Sequence, residues 1–144
     1  MHSLLLFPRQ LNAGEPHDEF DLIMIGLGID AVDIDRFRLI LERTPSLRRR
    51  IFTDDELALA DSRSDATASL AARFAVREAT MKALGVGLGA FDFHDVSVRR
   101  TPSGAPELLV SGRAAELAKQ RGVKGWQVSL SHTNIVAVAV VAAT

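Results

Sequence analysis

Two charged residues in the middle of the sequence could manage the charge of a phosphate group. Glu78 and Lys82 stand four residues apart, so on a helix they would share one face. The same spacing continues backwards to Phe74 and Leu70, so the face leads from apolar to charged side chains. A carboxylate at the end of a buried stripe needs a cation, a metal ion or a hydrogen-bond donor. Taken alone, the two charges are as readily explained by an ordinary surface ion pair worth roughly a few tenths of a kcal/mol.

A second carboxylate, Asp30, comes from another part of the chain. It follows an apolar run, residues 23–29, which predicts a buried strand, and Gly26 and Gly28 within it predict close approach of another backbone. A side chain where a strand emerges can be held rigidly while it faces a cleft. Two carboxylates with a lysine one helical turn beyond suit Mg²⁺, which takes oxygen ligands and shares them with phosphates. Lys82 would then neutralise phosphate charge as a compact cation.

Neither glycine-rich segment predicts a phosphate-binding loop. The pattern Gly26-x-Gly28-x-x-Ala31 lacks the strand, turn and helix context of a dinucleotide fingerprint, and Asp30 inside it would oppose a pyrophosphate. The glycines at positions 85, 87 and 89 follow a helix instead of opening one. Their backbone amides could still line a ligand.

One histidine, His132, lies in a polar turn between two apolar runs. A lone histidine in such a place is most often a hydrogen-bonded turn residue. The other histidines show no ligand spacing with it.

The elements that position these residues are predicted by caps and periodicity. Asp33 is expected to cap a helix starting at Ile34, and Thr53 with Glu56 forms a capping-box pattern for a second. A third and longest helix should run over residues 67–84 and end at Gly85. We expect strands at 95–99 and 107–110 around a turn, a helix at 113–120, and a final β pair at 126–131 and 135–141. The fold class is therefore α+β, a mainly antiparallel sheet packed with a long helix.

Composition limits the classes of function that remain. A chain of 144 residues with 47% hydrophobic and 24% charged residues predicts one domain. The absence of cysteine excludes disulfides and thiol nucleophiles, and a net charge of −1 gives no case for nucleic acid. No apolar run is long enough for an export signal or a membrane span, so we expect a cytoplasmic protein. Residues 1–23 have no sustained periodicity and predict a flexible extension before a domain at 24–144.

Three motifs together resemble the holo-[acyl-carrier-protein] synthase family of phosphopantetheinyl transferases. They are Gly28-Ile29-Asp30, residues 73–85 and residues 128–133, and they occur in that family's order and approximate spacing. The resemblance implies a single-domain enzyme of lipid metabolism and fatty acid biosynthesis that forms a homotrimer with coenzyme A between subunits. It implies transfer of 4′-phosphopantetheine from coenzyme A to a serine of apo acyl carrier protein, with release of adenosine 3′,5′-bisphosphate.

The resemblance also implies roles for individual residues. Asp30 and Glu78 match the magnesium ligands, and Lys82 matches the lysine near the coenzyme A phosphates. His132 matches a histidine at the nucleotide end of coenzyme A, near its 3′-phosphate. Arg73 and Gly85 match positions that line the same cleft, and Arg36 matches an arginine that meets the acidic helix of the carrier protein.

Two questions stay open on the sequence. The family usually has lysine where Arg77 stands, and a guanidinium does not reproduce the geometry of an ammonium, so we assign Arg77 no catalytic role. Glu78, directly or through water, is the candidate acceptor for the serine proton. The alternatives are a non-catalytic binding module for coenzyme A or the carrier protein, and a magnesium-dependent nucleotide hydrolase.

Overall fold

The computed structural model describes residues 23–144, which form five strands, five α-helices and one 3₁₀ turn. In chain order these are β1 Gly26–Asp33, α1 Ile34–Arg43, α2 Leu47–Ile51, α3 Asp54–Asp61, α4 Ala66–Leu84, the 3₁₀ turn Phe93–Asp95, β2 Val96–Arg100, β3 Pro106–Val110, α5 Gly112–Gln120, β4 Trp126–His132 and β5 Val136–Ala143. The predicted extension at residues 1–23 lies outside the described residues except for its last position. The predicted α+β class is confirmed.

All strand pairs are antiparallel and form two separate sheets. One sheet has the order β1-β5-β4, so the first strand of the fold pairs with the last. Its register sets Asp30 opposite Ala139. The other sheet is the β2–β3 hairpin. The last strand, β5, therefore lies directly beside β1, the strand that carries Asp30.

Helix α4 is the centre of the molecule. It is 19 residues long, and most of its side chains are buried. Its C-terminal half joins the two sheets and α5 in one apolar cluster, whereas its N-terminal half packs with α1, α2 and α3 in a second. The core is therefore organised around one helix, as the predicted long helix requires.

The predicted helix starts rest on the expected caps. The Asp33 carboxylate accepts from Arg36 N at 2.8 Å, and Thr53 and Glu56 form the reciprocal capping box of α3. Asp65 caps α4, which starts at Ala66, one residue before the predicted start, and Gly85 ends the helix with φ of 66°. Helix α2 and the 3₁₀ turn were not predicted.

The prediction for β1 is wrong in two respects. The strand continues through Asp30 to Asp33, because it stays paired with β5 until the cap of α1 turns the chain. The strand is also not buried on both faces, since Leu27 and Ile29 are each 59% exposed. Alternation puts Gly26, Gly28 and Asp30 on the other face, towards α4.

The glycines of β1 allow the close backbone approach that the sequence predicts. A Cβ added at Gly28 would lie 1.8 Å from the Ala79 carbonyl oxygen, and one at Gly26 would lie 1.8 Å from that of Ala83. Both overlaps are with helix backbone, which cannot move aside as a flexible side chain can. Helix α4 therefore lies directly on the backbone of β1.

No helix within residues 23–144 has the length and apolar character needed to cross a membrane.

The contact between β1 and α4 predicts the effect of a single methyl group. We expect Gly28→Ala to lower the free energy of unfolding by about 1–3 kcal/mol or more, because the helix must shift to admit it. Gly87→Ala is the matched control, since a Cβ there meets nothing within 4 Å. Urea unfolding followed by circular dichroism measures both, and equal midpoints for the two variants would contradict the prediction.

Candidate active site

The structure brings Asp30, Glu78 and Lys82 together. The Lys82 ammonium donates to Asp30 Oδ1 at 3.1 Å and to the Ile29 carbonyl at 2.8 Å. The lysine side chain is 53% exposed, and that of Asp30 is 17% exposed. Lys82 therefore pairs with the strand carboxylate, which favours a shared site over the surface Glu78–Lys82 pair that the sequence left open.

Glu78 lies close enough to Asp30 to feel its charge. Partial burial raises the pKa of the Glu78 carboxyl, the Asp30 carboxylate raises it further, and Lys82 opposes both effects. The group therefore has two carboxylates compensated by only one nearby ammonium. Within residues 23–144 no cluster of three or more acidic or histidine side chains offers a complete protein cage for a metal ion.

Helix and strand periodicity explain why these residues meet. Asp30 lies two residues beyond Gly28 and shares the face of β1 that touches α4. Glu78 precedes Ala79, the residue whose carbonyl lies against Gly28, and Lys82 is one turn further along α4. The backbone contact therefore determines the spacing of the three charges.

Arg73 and His132 belong to a second group, at the other half of α4. They line a cavity of about 220 Å³ together with Arg63, Ser64, Asp65, Ser69, Ala72, Arg100, Leu130 and Ser131. The structure places His132 at the end of β4, paired with Ala137, and not in the turn that the sequence predicted. It is exposed, and its Nδ1 lies 3.3 Å from the Thr133 carbonyl oxygen. Five residues of helix separate Arg73 from Glu78, which corresponds to roughly 7–8 Å along the axis.

Arg73 is buried with incomplete hydrogen bonding. Its Nη1 donates to Ser69 Oγ at 2.8 Å and to the Ser69 carbonyl at 3.2 Å. Its Nε is buried and has no partner among the described residues. Burial lowers the pKa of the guanidinium; Glu56 opposes this shift, while Arg100, Arg63 and Arg77 add to it.

The two remaining predicted site residues lie elsewhere. Gly85 is the left-handed C-cap of α4, and a Cβ on it would lie 2.9 Å from an Arg121 guanidinium nitrogen. Arg36 is exposed on α1, and its side chain has no hydrogen bond or ion pair with another described residue. Neither residue lines the cavity of Arg73 and His132.

Sequence reasoning missed the buried partner of Arg77. The Arg77 guanidinium donates to both Glu56 carboxylate oxygens, at 2.6 and 3.1 Å, and to the Phe93 carbonyl at 2.8 Å. Both side chains are almost completely buried, and Phe52 lies under the guanidinium at 5.1 Å. The capping box identified Glu56, but nothing local indicated a partner 21 residues away. The pair joins α3 to α4 and gives Arg77 a structural role.

Arg63 and Arg100 were also missed. They come from the loop before α4 and from the end of β2, and only the fold brings them to Arg73. Their spacing in the sequence carries no signal of a shared site.

The geometry at Arg77 predicts that lysine cannot replace it without loss. We expect Arg77→Lys to lower the free energy of unfolding by about 1–3 kcal/mol, because one ammonium cannot keep the paired contacts with Glu56 and reach Phe93 as well. Arg77→Met should cost more, about 3–5 kcal/mol, because it leaves a buried carboxylate without its partner. Arg99→Lys, in the exposed pair with Glu107, is the control and should change little. Thermal and urea unfolding would contradict this interpretation if Arg77→Lys proved as stable as Arg99→Lys.

Comparisons with known proteins agree with the motifs. The family model of the 4′-phosphopantetheinyl transferase superfamily matches residues 26–140. A holo-[acyl-carrier-protein] synthase of Streptomyces avermitilis is 50% identical over 120 residues, which cover 83% of this chain and 97% of that protein. The synthase of Moorella thermoacetica is 44% identical over 117 residues, covering 81% and 91% of the two chains.

Solved structures of the same kind share the fold. The holo-[acyl-carrier-protein] synthase of Neisseria meningitidis superposes with a TM-score of 0.77 at 27% identity, covering 85% of this chain and 99% of that one. The Helicobacter pylori synthase in complex with coenzyme A gives a TM-score of 0.72 at 30% identity, covering 82% and 99%. The family predicted from the three motifs is confirmed: this chain belongs to the 4′-phosphopantetheinyl transferase superfamily.

Proposed function

We propose that this chain is a holo-[acyl-carrier-protein] synthase. It transfers the 4′-phosphopantetheine group of coenzyme A to a serine of apo acyl carrier protein and releases adenosine 3′,5′-bisphosphate. The observation that carries the proposal is the meeting of Asp30, Glu78 and Lys82 in a chain whose relatives are holo-[acyl-carrier-protein] synthases. Several structures of such proteins contain coenzyme A.

The two alternative functions are less well supported. A binding module needs no carboxylate pair, and the cost of placing Glu78 in a partly buried site near Asp30 would serve no purpose in it. A nucleotide hydrolase could use the same carboxylates with water, but 50% identity with a synthase favours a protein serine as the acceptor.

Magnesium fits the group of Asp30 and Glu78. Partial burial and the nearby Asp30 carboxylate both raise the pKa of Glu78, so its ionised form lacks compensation that a divalent cation would supply. Asp30 and Glu78 would hold the ion through their carboxylate oxygens, which are ligands that Mg²⁺ prefers. When bound, Mg²⁺ supplies positive charge to the pyrophosphate and to the leaving phosphate.

The protein's own residues manage the proton and the remaining charge. The serine oxygen forms a bond to the β-phosphorus of coenzyme A as the bond from that phosphorus to the bridging oxygen breaks. Glu78, directly or through a water molecule, accepts the serine proton. Lys82, exposed beside Asp30, supplies a cation to the phosphate oxygens. The electron pair of the broken bond leaves with adenosine 3′,5′-bisphosphate.

Arg73 and His132 would bind the nucleotide portion of coenzyme A, and Gly85 would line the same cleft. Arg73 and His132 share a cavity, and the buried Nε of Arg73 has no hydrogen-bond partner within residues 23–144. Gly85 leaves backbone exposed at the end of α4. These groups lie on either side of the carboxylates along α4, so the helix would run along the bound coenzyme.

The carrier protein would dock on α1. Arg36 is exposed there, Leu39 and Ile40 are exposed apolar neighbours, and Arg43 lies in the last turn. An acidic helix with apolar side chains complements such a surface in charge and in hydrophobicity.

Assembly into a homotrimer would cover the outer face of β1. Leu27 and Ile29 are exposed on that face, and Val138 and Val140 are half-buried on the neighbouring strand β5. A contiguous apolar patch of this kind marks a protein contact surface.

We infer that the domain begins near Met24 and acts in the cytoplasm.

Intact-mass spectrometry tests the proposed function directly. Apo acyl carrier protein incubated with this chain, coenzyme A and Mg²⁺ should gain the mass of one phosphopantetheine. Glu78→Ala should reduce the rate by about 10²–10⁴-fold, as expected for loss of a general base and metal ligand. Glu107→Ala, which removes an exposed carboxylate of the β2–β3 hairpin, is the control. Free phosphopantetheine with an unmodified carrier would instead support the hydrolase.

The same assay examines the carrier surface and the metal ion. Arg36→Ala should raise the KM for the carrier several-fold and leave the KM for coenzyme A unchanged, because an exposed charge contributes mainly to encounter.

Removal of Mg²⁺ by a chelator should abolish the mass gain. A wild-type rate that persists in chelator would rule out the metal site.

Sedimentation tests the apolar face of β1. We expect the wild-type chain to sediment as three copies, and Leu27→Lys with Ile29→Lys to sediment as one, because charges on that face would be buried without partners. Leu39→Lys, on the exposed side of α1, should leave the assembly intact. A wild-type monomer at micromolar concentration would overturn the trimer.

A further inference from the structure

We propose that His94 is a positioning residue for the carrier protein. Its hydrogen bond to the backbone of Arg49 holds α2 in place, so that Arg49 and Arg50 extend the basic docking surface of α1. The proposal rests on the proposed function, and it assigns a role in carrier recognition to a histidine that the motifs do not include. It is argued from the hydrogen bonds around α2 and from the charges that this helix exposes.

Helix α2 depends on other elements for its position. It has only five residues, Ser46 gives it no side-chain cap, and Ile51 is its one buried residue. A helix of this length is unstable on its own, because ordering the first turn costs more than its few hydrogen bonds return. Contacts with neighbouring elements must therefore decide where its arginines lie.

The carbonyl of Arg49 lacks the backbone partner that a longer helix would provide. In a continuing helix it would accept from Thr53 N, four residues further on. Thr53 N instead donates to Glu56 Oε1 at 3.1 Å, in the capping box of α3. His94 Nε2 lies 2.7 Å from the Arg49 carbonyl oxygen. Since a carbonyl can only accept, this ring nitrogen carries a proton and donates.

His94 itself belongs to firmly held backbone. The 3₁₀ turn Phe93–Asp95 is capped by the Asp92 carboxylate, which accepts from His94 N at 2.8 Å. The Phe93 carbonyl accepts from Arg77 Nε at 2.8 Å, and the Arg77 side chain is fully buried. His94 therefore connects α2 to the same buried ion pair that holds α4.

Packing alone does not fix α2 against this turn. A cavity of about 700 Å³ lies between them, with Leu47, Arg49 and Arg50 on one side and residues of the segment 88–94 on the other. Atoms that line a void lack contact partners on that side. Apolar packing is therefore incomplete here, and a directional hydrogen bond has a larger influence on the orientation of the helix.

The side chains that α2 exposes are cations. Arg49 and Arg50 are exposed, and within residues 23–144 neither side chain forms a hydrogen bond or an ion pair. Arg48 differs, since its guanidinium is paired with a carboxylate of α3 at 2.6 Å. Three residues separate α2 from α1, on which Arg36 is also exposed. The two helices thus present positive charge that complements an acidic carrier protein.

Kinetics with apo acyl carrier protein test the proposal. We expect His94→Phe, which keeps a planar ring but cannot donate, to raise the KM for the carrier several-fold, because α2 and its arginines lose their fixed position. The kcat and the KM for coenzyme A should stay nearly unchanged, since His94 contacts none of Asp30, Glu78 and Lys82. His94→Gln should restore the wild-type KM, because its amide N–H can donate to the same carbonyl.

A second set of variants separates positioning from a general loss of stability. The Arg49→Ala, Arg50→Ala double variant should raise the KM for the carrier at least as much as His94→Phe does. Adding His94→Phe to it should cause no further rise, because changes that act through one shared contact are not additive. Arg113→Ala, which removes an exposed arginine of α5, is the matched control and should leave this KM unchanged.

Three results would overturn the proposal while leaving the proposed transferase intact. They are an unchanged KM for the carrier in His94→Phe, a failure of His94→Gln to restore it, and an additive loss in the triple variant.

Binding measurements separate the proposal from the reaction. If the wild-type protein modifies no carrier, the proposed function fails, and calorimetry with apo acyl carrier protein decides the role of His94 independently. Binding that is weaker in His94→Phe and in the arginine double variant, and kept in His94→Gln and Arg113→Ala, supports it. Equal binding by all variants, or no binding by the wild-type protein, refutes it.

Discussion

Direct contact between a strand backbone and a helix backbone determines the rest of this structure. Gly26 and Gly28 present no side chain to α4, and alanines at 79 and 83 present the smallest one in return. This contact fixes the position of α4 along β1 to within a fraction of a helical turn. Because Asp30 is on the strand and Glu78 and Lys82 are on the helix, their separation follows from the same contact. A larger residue at either glycine would move Asp30 and Glu78 apart before it touched either of them.

The ion pair of Glu56 and Arg77 fastens the opposite side of α4. Glu56 closes the capping box of α3 and lies within 3.4 Å of Val98 N of β2, while Arg77 reaches the Phe93 carbonyl of the 3₁₀ turn. One buried pair therefore connects four elements that share no regular hydrogen bonds. Such a pair is costly to break from one side, because removal of either partner leaves a buried charge without compensation. Arg73 lies one turn earlier on α4, so its position depends on the same ion pair of Glu56 and Arg77.

The sequence predicts the local parts of this fold well and the long-range parts poorly. Caps at Asp33, Thr53 and Gly85 have nearby partners, so their patterns are sufficient to locate helix ends. The extent of β1 depends on pairing with a strand more than 100 residues away, and the apolar residues 23–29 could not reveal which face meets the helix. Helix α2 is too short and too rich in arginine to show an apolar period.

The site shows the same division. Asp30, Glu78 and Lys82 could be associated because strand ends and helical spacing are readable, and the motif resemblance added their roles. The partners of Arg77 and the approach of Arg63 and Arg100 to Arg73 arise only when α3, the hairpin and α4 pack together. When a group of side chains is assembled from three elements, the sequence of any one element contains no pattern that identifies the group.

Successive residues of β1 serve opposite sides of the sheet, and this makes the strand intolerant of a change in length. Ile29 faces outward and Asp30 faces the helix. Insertion of one residue between Gly28 and Ile29 would exchange their sides, placing an isoleucine beside Glu78 and a carboxylate on the apolar outer face. Such an insertion would remove Asp30 from the charged group on α4 and place its charge on the apolar outer face in one step. A change in the length of this segment would therefore disturb both faces of the sheet, whereas a substitution would alter only one of them.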